Sequence, residues 1–392
     1  MTAWVAVLNC GSSSIKFALF DAARSPLPRT PPWSGKVEGI GGADATYQDT
    51  DTPATSIALE EADPYHAALA RIRERMRERI GGGQLAAVAH RVVHGGARYF
   101  QPARIDAQVL ADLRSYIPLA PLHQPFALEA IDVLLRERPD IPQVACFDTA
   151  FHHTLPDVEK VLPLTADAWE KGLRRYGFHG LSYEYLAIAL AERHGAHARG
   201  RTLCAHLGSG ASLCAMDDLR SVATTMGFSA LDGLMMGTRC GTLDPGVVLY
   251  LLESEKLSAH ELGQLLYHRA GLLGLSGVSA DLRELLPRET ADERVALAIA
   301  LYVRRIVREI GAMVAVLGGL DLLVFSAGVG EHNPTIRERV CRGLSAFGIV
   351  LDGDANAANA PVISSPDSRV RVAVEPTNEE WIAARDALAV VR

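Results

Sequence analysis

The chain has no apolar run long enough to cross a bilayer, no low-complexity stretch and no excess of positive charge. The first absence excludes a helical membrane span, which needs about 20 consecutive apolar residues. The second leaves no flexible tether between domains. Lysine and arginine number 39 against 46 aspartates and glutamates, a net charge of −7. That balance excludes a broad surface for nucleic acid or anionic lipid, so an anionic substrate must meet arginines gathered locally. The six cysteines, Cys10, Cys146, Cys204, Cys214, Cys240 and Cys341, show no CxxC spacing. Neither a thiolate metal framework nor a disulfide scaffold is expected; reduced thiols in a cytoplasmic protein are. The first residues read as the start of a strand, with neither a charged leader nor an apolar signal core. Over 392 residues, a hydrophobic content of 48% supports two sizeable cores.

What is present begins with Trp4 to Phe20, WVAVLNCGSSSIKFALF, a pattern that predicts strand, tight turn and returning strand. Around the turn, Asn9, Gly11, Ser12, Ser13, Ser14 and Lys16 offer backbone N–H groups, hydroxyls and one ammonium. Such a turn suits phosphate oxygens, because glycine lets the backbone approach and N–H dipoles converge. It equally suits an ordinary hairpin whose serines bond their own turn. It is not a Walker loop, since no glycine-lysine-serine leads it into a helix. A second copy tips the balance: TLCAHLGSGASLCAM, Thr202 to Met216, repeats the pattern about half a chain later. Two such hairpins predict a duplicated α/β domain with both turns facing a shared cleft. A third glycine turn, Ser326 to Glu331, follows the apolar run Leu320 to Phe325 and leads towards a helix, as nucleotide-binding turns do.

Other signals are read along the chain. Strands at Lys36 to Ile40 and Ser56 to Leu59 are expected to extend the first sheet. A helix from His66 should stop at Gly81, Gly82 and Gly83. Arg91, on a strand from Leu85 to Val93, either bridges a carboxylate of its own domain or reaches into the cleft. His123 precedes a helix from about Phe126. Asp148 ends a strand at Val144 to Phe147, a place where acids hold metal, act as bases or cap helices. The adjacent His152 and His153 alone make no metal site. Arg239 sits in the long loop from Thr224 to Pro245 as a second candidate anion clamp. Helices are expected over Val247 to Leu273 and Ala291 to Leu317, and Ser279 reads as an N-cap ahead of Asp281 and Arg283. Thr377 and Glu380 have capping-box spacing, which leaves Glu379 as a dipole-compensating acid or a metal ligand.

Taken together, LNCGSSSIKF, HRVVHGG, LAPLH, FDTAFHHTLP, YGFHGLS, HLGSGAS, GLMMGTRCGTLDPG, AGVGE and PTNEE resemble the acetate kinase family nearly end to end. The weakest part is Asp21 to Asp63. The resemblance implies two ribonuclease-H-like domains of the actin-like ATPase kind around a central nucleotide cleft, 1–150 and 151–379. It implies that a C-terminal helix near 380–392 packs back on the first domain, and that the protein is a homodimer. It further implies reversible in-line transfer of the γ-phosphoryl group of ATP to acetate, with Mg2+ or Mn2+. Carried over, Asn9 and Glu379 are the metal residues, and Ser12, Ser14 and Lys16 contact nucleotide phosphate. Arg91 meets the substrate carboxylate, Arg239 the transferring phosphoryl group. Asp148, His179 and His123 are catalytic. His206, Leu207, Gly208, Ser209 and Gly210 bind ATP, together with Asp281, Leu282 and Arg283 and with Gly328, Val329, Gly330, Glu331 and His332. Val93, Leu122, Phe178 and Ala230 wall the acid pocket.

Ser209, His332 and Gln124 depart from the commoner family residues, which bears on nucleotide affinity and base preference. Ala230 stands where proline is frequent, and the smaller residue is expected to admit propionate; a propionate or butyrate kinase is the neighbouring reading. A carboxylate acceptor is already ionised and needs no base, so Asp148 is read as a positioner of magnesium or its water, where a sugar kinase would need a base. A non-metabolic actin-like ATPase would leave two placed arginines without an anionic acceptor.

Overall fold

The apolar residues flanking the first glycine–serine turn fold as β1 (Ala3–Cys10) and β2 (Ser14–Asp21), antiparallel with Asn9 opposite Lys16. The computed structural model, which describes residues 3–42, 44–60, 62–121 and 123–392, divides into two units. Unit 1 comprises Met1–Ala150 and Asn378–Arg392; unit 2 comprises Phe151–Thr377.

Unit 1 continues with β3 (Trp33–Glu38), β4 (Thr46–Asp49), β5 (Thr52–Ser56), β6 (Gln84–Val92), β7 (Ala103–Arg104) and β8 (Gln143–Phe147). Its sheet runs β5-β4-β3-β2-β1-β6-β8-β7. The strand expected at Ser56 to Leu59 is instead the β4–β5 hairpin, displaced towards the N-terminus. β5 is an almost wholly exposed edge, so no apolar alternation marks it in the sequence. Strand alternation sorts the two faces of the sheet. Val88 packs with the helix Pro64–Ile80, while Ala145 and Phe147 pack with the helix Gln124–Glu137. Cys146 points the other way and donates its S–H to Ala383 O in the helix Glu379–Val391, and Arg91 is its neighbour across the ladder. That geometry puts Arg91 on the sheet face that the returning helix covers.

In unit 2, β9 (Arg201–Leu207), β10 (Ala211–Asp217), β11 (Arg220–Thr224), β12 (Leu322–Ser326) and β13 (Arg371–Val374) form the order β11-β10-β9-β12-β13. The helix Gly180–His194 covers the face carrying Cys204, Cys214 and Val324, and the helix Glu293–Leu317 packs on β9 and β10. The two units have the same core strand topology. β3-β2-β1-β6-β8 and β11-β10-β9-β12-β13 each pair antiparallel twice and then parallel twice. Each also carries a three-residue turn in its first hairpin, at 11–13 and at 208–210. The duplication is therefore one of topology as well as of motif.

The helix expected over Val247 to Leu273 is three helices, Pro245–Glu253, Ala259–His268 and Gly271–Ser276. Lys256 and Gly271 take left-handed φ values of 58° and 62°, and Ser258 opens the second helix through a capping box with Glu261. Among the described residues no helix is long and apolar enough to cross a membrane.

Candidate active site

In unit 1 the residues singled out in the sequence converge on Arg91. Its Nε and Nη2 donate to Asp148 Oδ1 and Oδ2 at 2.8 and 2.5 Å, and its Nη1 donates to Asn9 Oδ1 at 3.1 Å. Glu379, the first residue of its helix, lies 3.7 Å from Arg91 Nε. The structure bears out the first reading of Arg91, a bridge to a carboxylate of its own domain, and that carboxylate is itself a candidate site residue. Asp148 is held at the end of β8 by its own N–H, which donates to Val92 O, and it is only 2% exposed. Burial pushes its carboxyl up, against the pull of Arg91, and Glu379 adds to the rise. Burial disfavours the Arg91 charge, but Asp148 and then Glu379 outweigh it and keep the guanidinium protonated. Glu380 belongs to the same field: burial and Glu379 raise it, while Lys16 and Arg91 oppose them. Lys16 is exposed on β2 directly opposite Asn9, beside the turn that exposes Ser12 and leaves Ser14 half-buried.

In unit 2, His179 caps the helix Gly180–His194 with φ 60°, a left-handed conformation that non-glycine residues rarely adopt. Ser212 Oγ lies 2.8 Å from His179 Nδ1 and 2.6 Å from Tyr183 Oη, which fixes the ring. The ring stacks on His206 at 4.1 Å, and His206 Nδ1 meets Ser182 Oγ at 2.8 Å. A Cβ on Gly210 would stand 3.3 Å from His179 Nε2 and 3.6 Å from Arg239 Nη1. His179, Arg239 and the second hairpin turn therefore meet at Gly210, where glycine leaves room for them. Gly11, Gly208 and Gly210 all keep negative φ, so these turn glycines matter for a missing side chain rather than for handedness. Arg239 is oriented by donating to Ala230 O at 3.1 Å.

The other nucleotide segments of unit 2 gather at the same turn. Ser326 is paired with His206, so the helix Ala327–His332 starts beside the β9–β10 turn, and a Cβ on Gly208 would lie 3.6 Å from Ala327 Cβ. A Cβ on Gly237 would touch Ala280 at 3.2 Å and approach Ser209 O at 3.8 Å, which brings in the chain entering Asp281. The cap there is Asp281 rather than Ser279: its carboxylate accepts from Arg283 N–H at 2.8 Å and forks with the Arg283 guanidinium. Arg283, Gly328 and His332 are exposed. Thr377 and Glu380 make no capping box; Asn378 caps the last helix through Trp381 N, because Asn378, not Thr377, immediately precedes the first turn.

Val93 lies in unit 1, half-buried; Phe178, buried, and Ala230, half-buried, lie in unit 2. His123 caps the helix Gln124–Glu137 in unit 1, and Leu122 falls outside the described residues.

One residue that the sequence reading passed over is Arg337, fully buried in unit 2. It donates to Gly330 O and Glu331 O at 2.8 and 2.9 Å, to Asn356 O and Oδ1, and to Asn359 Oδ1. The arginine thus ties down the carbonyls at the end of the helix Ala327–His332. Its signal was available: it falls in the buried stripe Ile336, Arg337, Val340 and Cys341 of the helix Pro334–Gly343.

Comparison with known proteins identifies the family and the fold. A model described as the Acetokinase family matches residues 4–385. An acetate kinase of Rhodopseudomonas palustris is 48% identical over 391 residues, covering 97% of this chain and 96% of its own. A crystal structure of a propionate kinase from Francisella tularensis has a TM-score of 0.92 at 32% identity, covering 99% of this chain and 100% of the other. The acetate kinase of Porphyromonas gingivalis has a TM-score of 0.87 at 35% identity, with full coverage of both chains. The duplicated α/β core is that of the actin-like ATPases, and the chain belongs to the acetokinase family.

Proposed function

We propose that the protein transfers the γ-phosphoryl group of ATP to acetate, reversibly and in line, giving acetyl phosphate and ADP. The observation that carries this reading is that each unit sets one arginine against its own glycine–serine hairpin: Arg91 on Asn9, and Arg239 beside Gly210. Acetate is ionised at neutral pH, since carboxyls titrate near 4 to 5. Its difficulty is approaching a phosphate that is itself negative. Two unit charges about 4 Å apart repel by roughly 4 kcal/mol at an effective dielectric of about 20. Cations must offset several such repulsions while holding the line of attack.

In this reading Arg91 receives the acid carboxylate and Arg239 the transferring phosphoryl group. His179, its ring fixed by Ser212 and His206, donates to a phosphoryl oxygen. Ser12, Ser14 and Lys16 contact the phosphates, while 206–210, 281–283 and 328–332 hold the nucleotide. Asp148 is committed to Arg91 by two hydrogen bonds, and the acceptor has no proton to lose, so we assign Asp148 to positioning rather than to base catalysis. Asn9, Asp148 and Glu379 form an all-oxygen donor set that suits magnesium or manganese, which would neutralise phosphate charge when bound.

A homodimer in a reducing cytoplasm completes the reading. The helix Pro245–Glu253, PGVVLYLLE, buries none of its residues, and Leu249 and Tyr250 are 55% and 56% exposed. Such an apolar surface suits a second copy of the chain. None of the six cysteines forms a disulfide among the described residues. Propionate is the second acid to weigh, because the neighbouring Francisella structure is a propionate kinase and Ala230 is small. Hydroxylamine trapping of acyl phosphate with Mg-ATP and acetate, propionate or butyrate tests both points. Acetate should give the highest kcat/KM; product at buffer level with every acid would remove the assignment.

A further inference from the structure

Unit 1 contains a cavity on the sheet face opposite Arg91. Its volume is about 70 Å³, and it lies between the helices Pro64–Ile80 and Gln124–Glu137, over β1 and β6. Leu8, Leu69, Ile72, Met76, Val88 and Leu134 make its wall apolar. Two donors that line it have no partner among the described residues: Gln143 Nε2, on a side chain 2% exposed, and Arg73 Nε. Gln143 Oε1 is used by His90 Nε2 at 2.8 Å, so its amide N–H2 is the part left over. A buried donor without an acceptor is costly, and native proteins rarely leave one unless something else completes it.

Charge at the rim adds a direction. Arg73, Arg77 and Arg138 all border the cavity. Arg73 pairs with Glu137 and Arg138 with Asp140, whereas the Arg77 side chain makes no hydrogen bond or ion pair among the described residues. The one acid on the rim, Glu137, is held below its ordinary value by Arg73 first, with Arg77 and Arg136 contributing. A spare cation beside an apolar cavity fits an amphiphile with an anionic head.

We propose that this cavity binds an aliphatic monocarboxylate of about five or six carbons, its carboxylate on Arg77 and Arg73 Nε and its chain among the apolar side chains. The size follows from the volume: about 10–15 Å³ admits one water-sized group, so 70 Å³ holds roughly five to seven. Acetate is too short to fill the wall, and a longer fatty acid exceeds the space. The ligand is small, which puts its affinity in the millimolar range. The site does not depend on the transfer reaction, and it uses no residue assigned to that reaction.

The test is calorimetric titration of the full chain, without nucleotide, using hexanoate, hexan-1-ol and acetate. Hexanoate should bind saturably, one per chain, and saturating acetate should not displace it. Arg77→Gln, at an exposed position with no partner, should weaken hexanoate about tenfold and leave hexan-1-ol unchanged. Ala130→Leu, which fills the cavity, should abolish both. Titration curves for hexanoate that stay linear up to its solubility limit would show a cavity holding water only, and would overturn the proposal. So would displacement by acetate, or an Arg77→Gln protein that binds hexanoate as the native chain does.

Discussion

Arg91→Ala removes two hydrogen bonds to Asp148, at 2.8 and 2.5 Å, and one to Asn9, at 3.1 Å. It leaves a carboxylate 2% exposed without its cation, and breaking a buried pair from one side costs about 3–5 kcal/mol. Asp148→Asn strands the guanidinium instead, but Glu379 remains 3.7 Å away, so its cost should be about 2 kcal/mol smaller. Removing both charges together should cost clearly less than the two single changes summed, with a coupling of about 2 kcal/mol. A pH signature accompanies this. In Arg91→Ala the burial that already raises Asp148 is no longer opposed by the guanidinium. The folded carboxyl then binds a proton that the unfolded chain, titrating near 4, has released. Stability is therefore lost as pH rises from about 4 through the raised folded value, and regained on acidification. Urea unfolding at about pH 7 and pH 5, followed by tryptophan fluorescence, measures this in the right place, because Trp4, Trp33 and Trp381 all lie in unit 1. Costs that add within about 0.5 kcal/mol, or an Arg91→Ala midpoint no higher at pH 5 than at pH 7, would refute the buried-pair argument.

Three further outcomes are expected. Arg239→Ala should lower kcat about 10²- to 10³-fold with little change in the KM for acetate, the loss typical of one donor to developing charge; a change confined to KM would place this arginine with the ground-state acid. Arg337→Leu should raise the KM for ATP about tenfold while sparing that for acetate, since the two hydrogen bonds lost from the Gly330 and Glu331 carbonyls are together worth about 1.4 kcal/mol or more; equal rises in both KM values would mean general damage to unit 2. His152 is pulled down to about 4 by burial, with Ser221 Oγ and Phe178 O each 2.9 Å from a ring nitrogen. The stability it confers is complete above about 6.5 and is lost as pH falls towards 4, by about 3 kcal/mol in all. His152→Gln should flatten that part of the dependence of the urea midpoint on pH, and an unchanged slope would exonerate the histidine.

Much of this was legible because the hairpins carry their own punctuation. Apolar runs on both sides of Gly11 and of Gly208 specify strand, turn and strand, and the spacing of the two copies exposes the duplication. Arg91 and Asp148 were legible as strand-end charges, but their mutual bond was not: parallel β6 and β8 belong together only through the sheet. The apolar spacing from Val247 onwards hid two breaks, at Lys256 and Gly271, where φ is positive; at Gly271 the close backbone neighbours, Met236 O and Arg239 O, are distant in sequence. Near Asp281 and Asn378 several short polar residues compete to cap, and composition alone does not choose between them. Arg337 escaped notice because an arginine in a charged helix reads as solvated; two of its acceptors, Asn356 in the helix Gly353–Ala357 and Asn359 just after it, lie about twenty residues further on.

The helix Glu379–Val391 belongs to unit 1 and lies on β1, β6 and β8, yet all of unit 2 is encoded before it. A ribosome making roughly 5–20 residues per second therefore emits unit 2 for some tens of seconds while unit 1 waits for its last piece. Throughout that interval the nascent sheet presents the Cys146 side bare, and Glu379 has not yet been made. Unit 2 can therefore complete its fold first, while unit 1 lacks the helix that covers this face until residues 379–391 have left the ribosome.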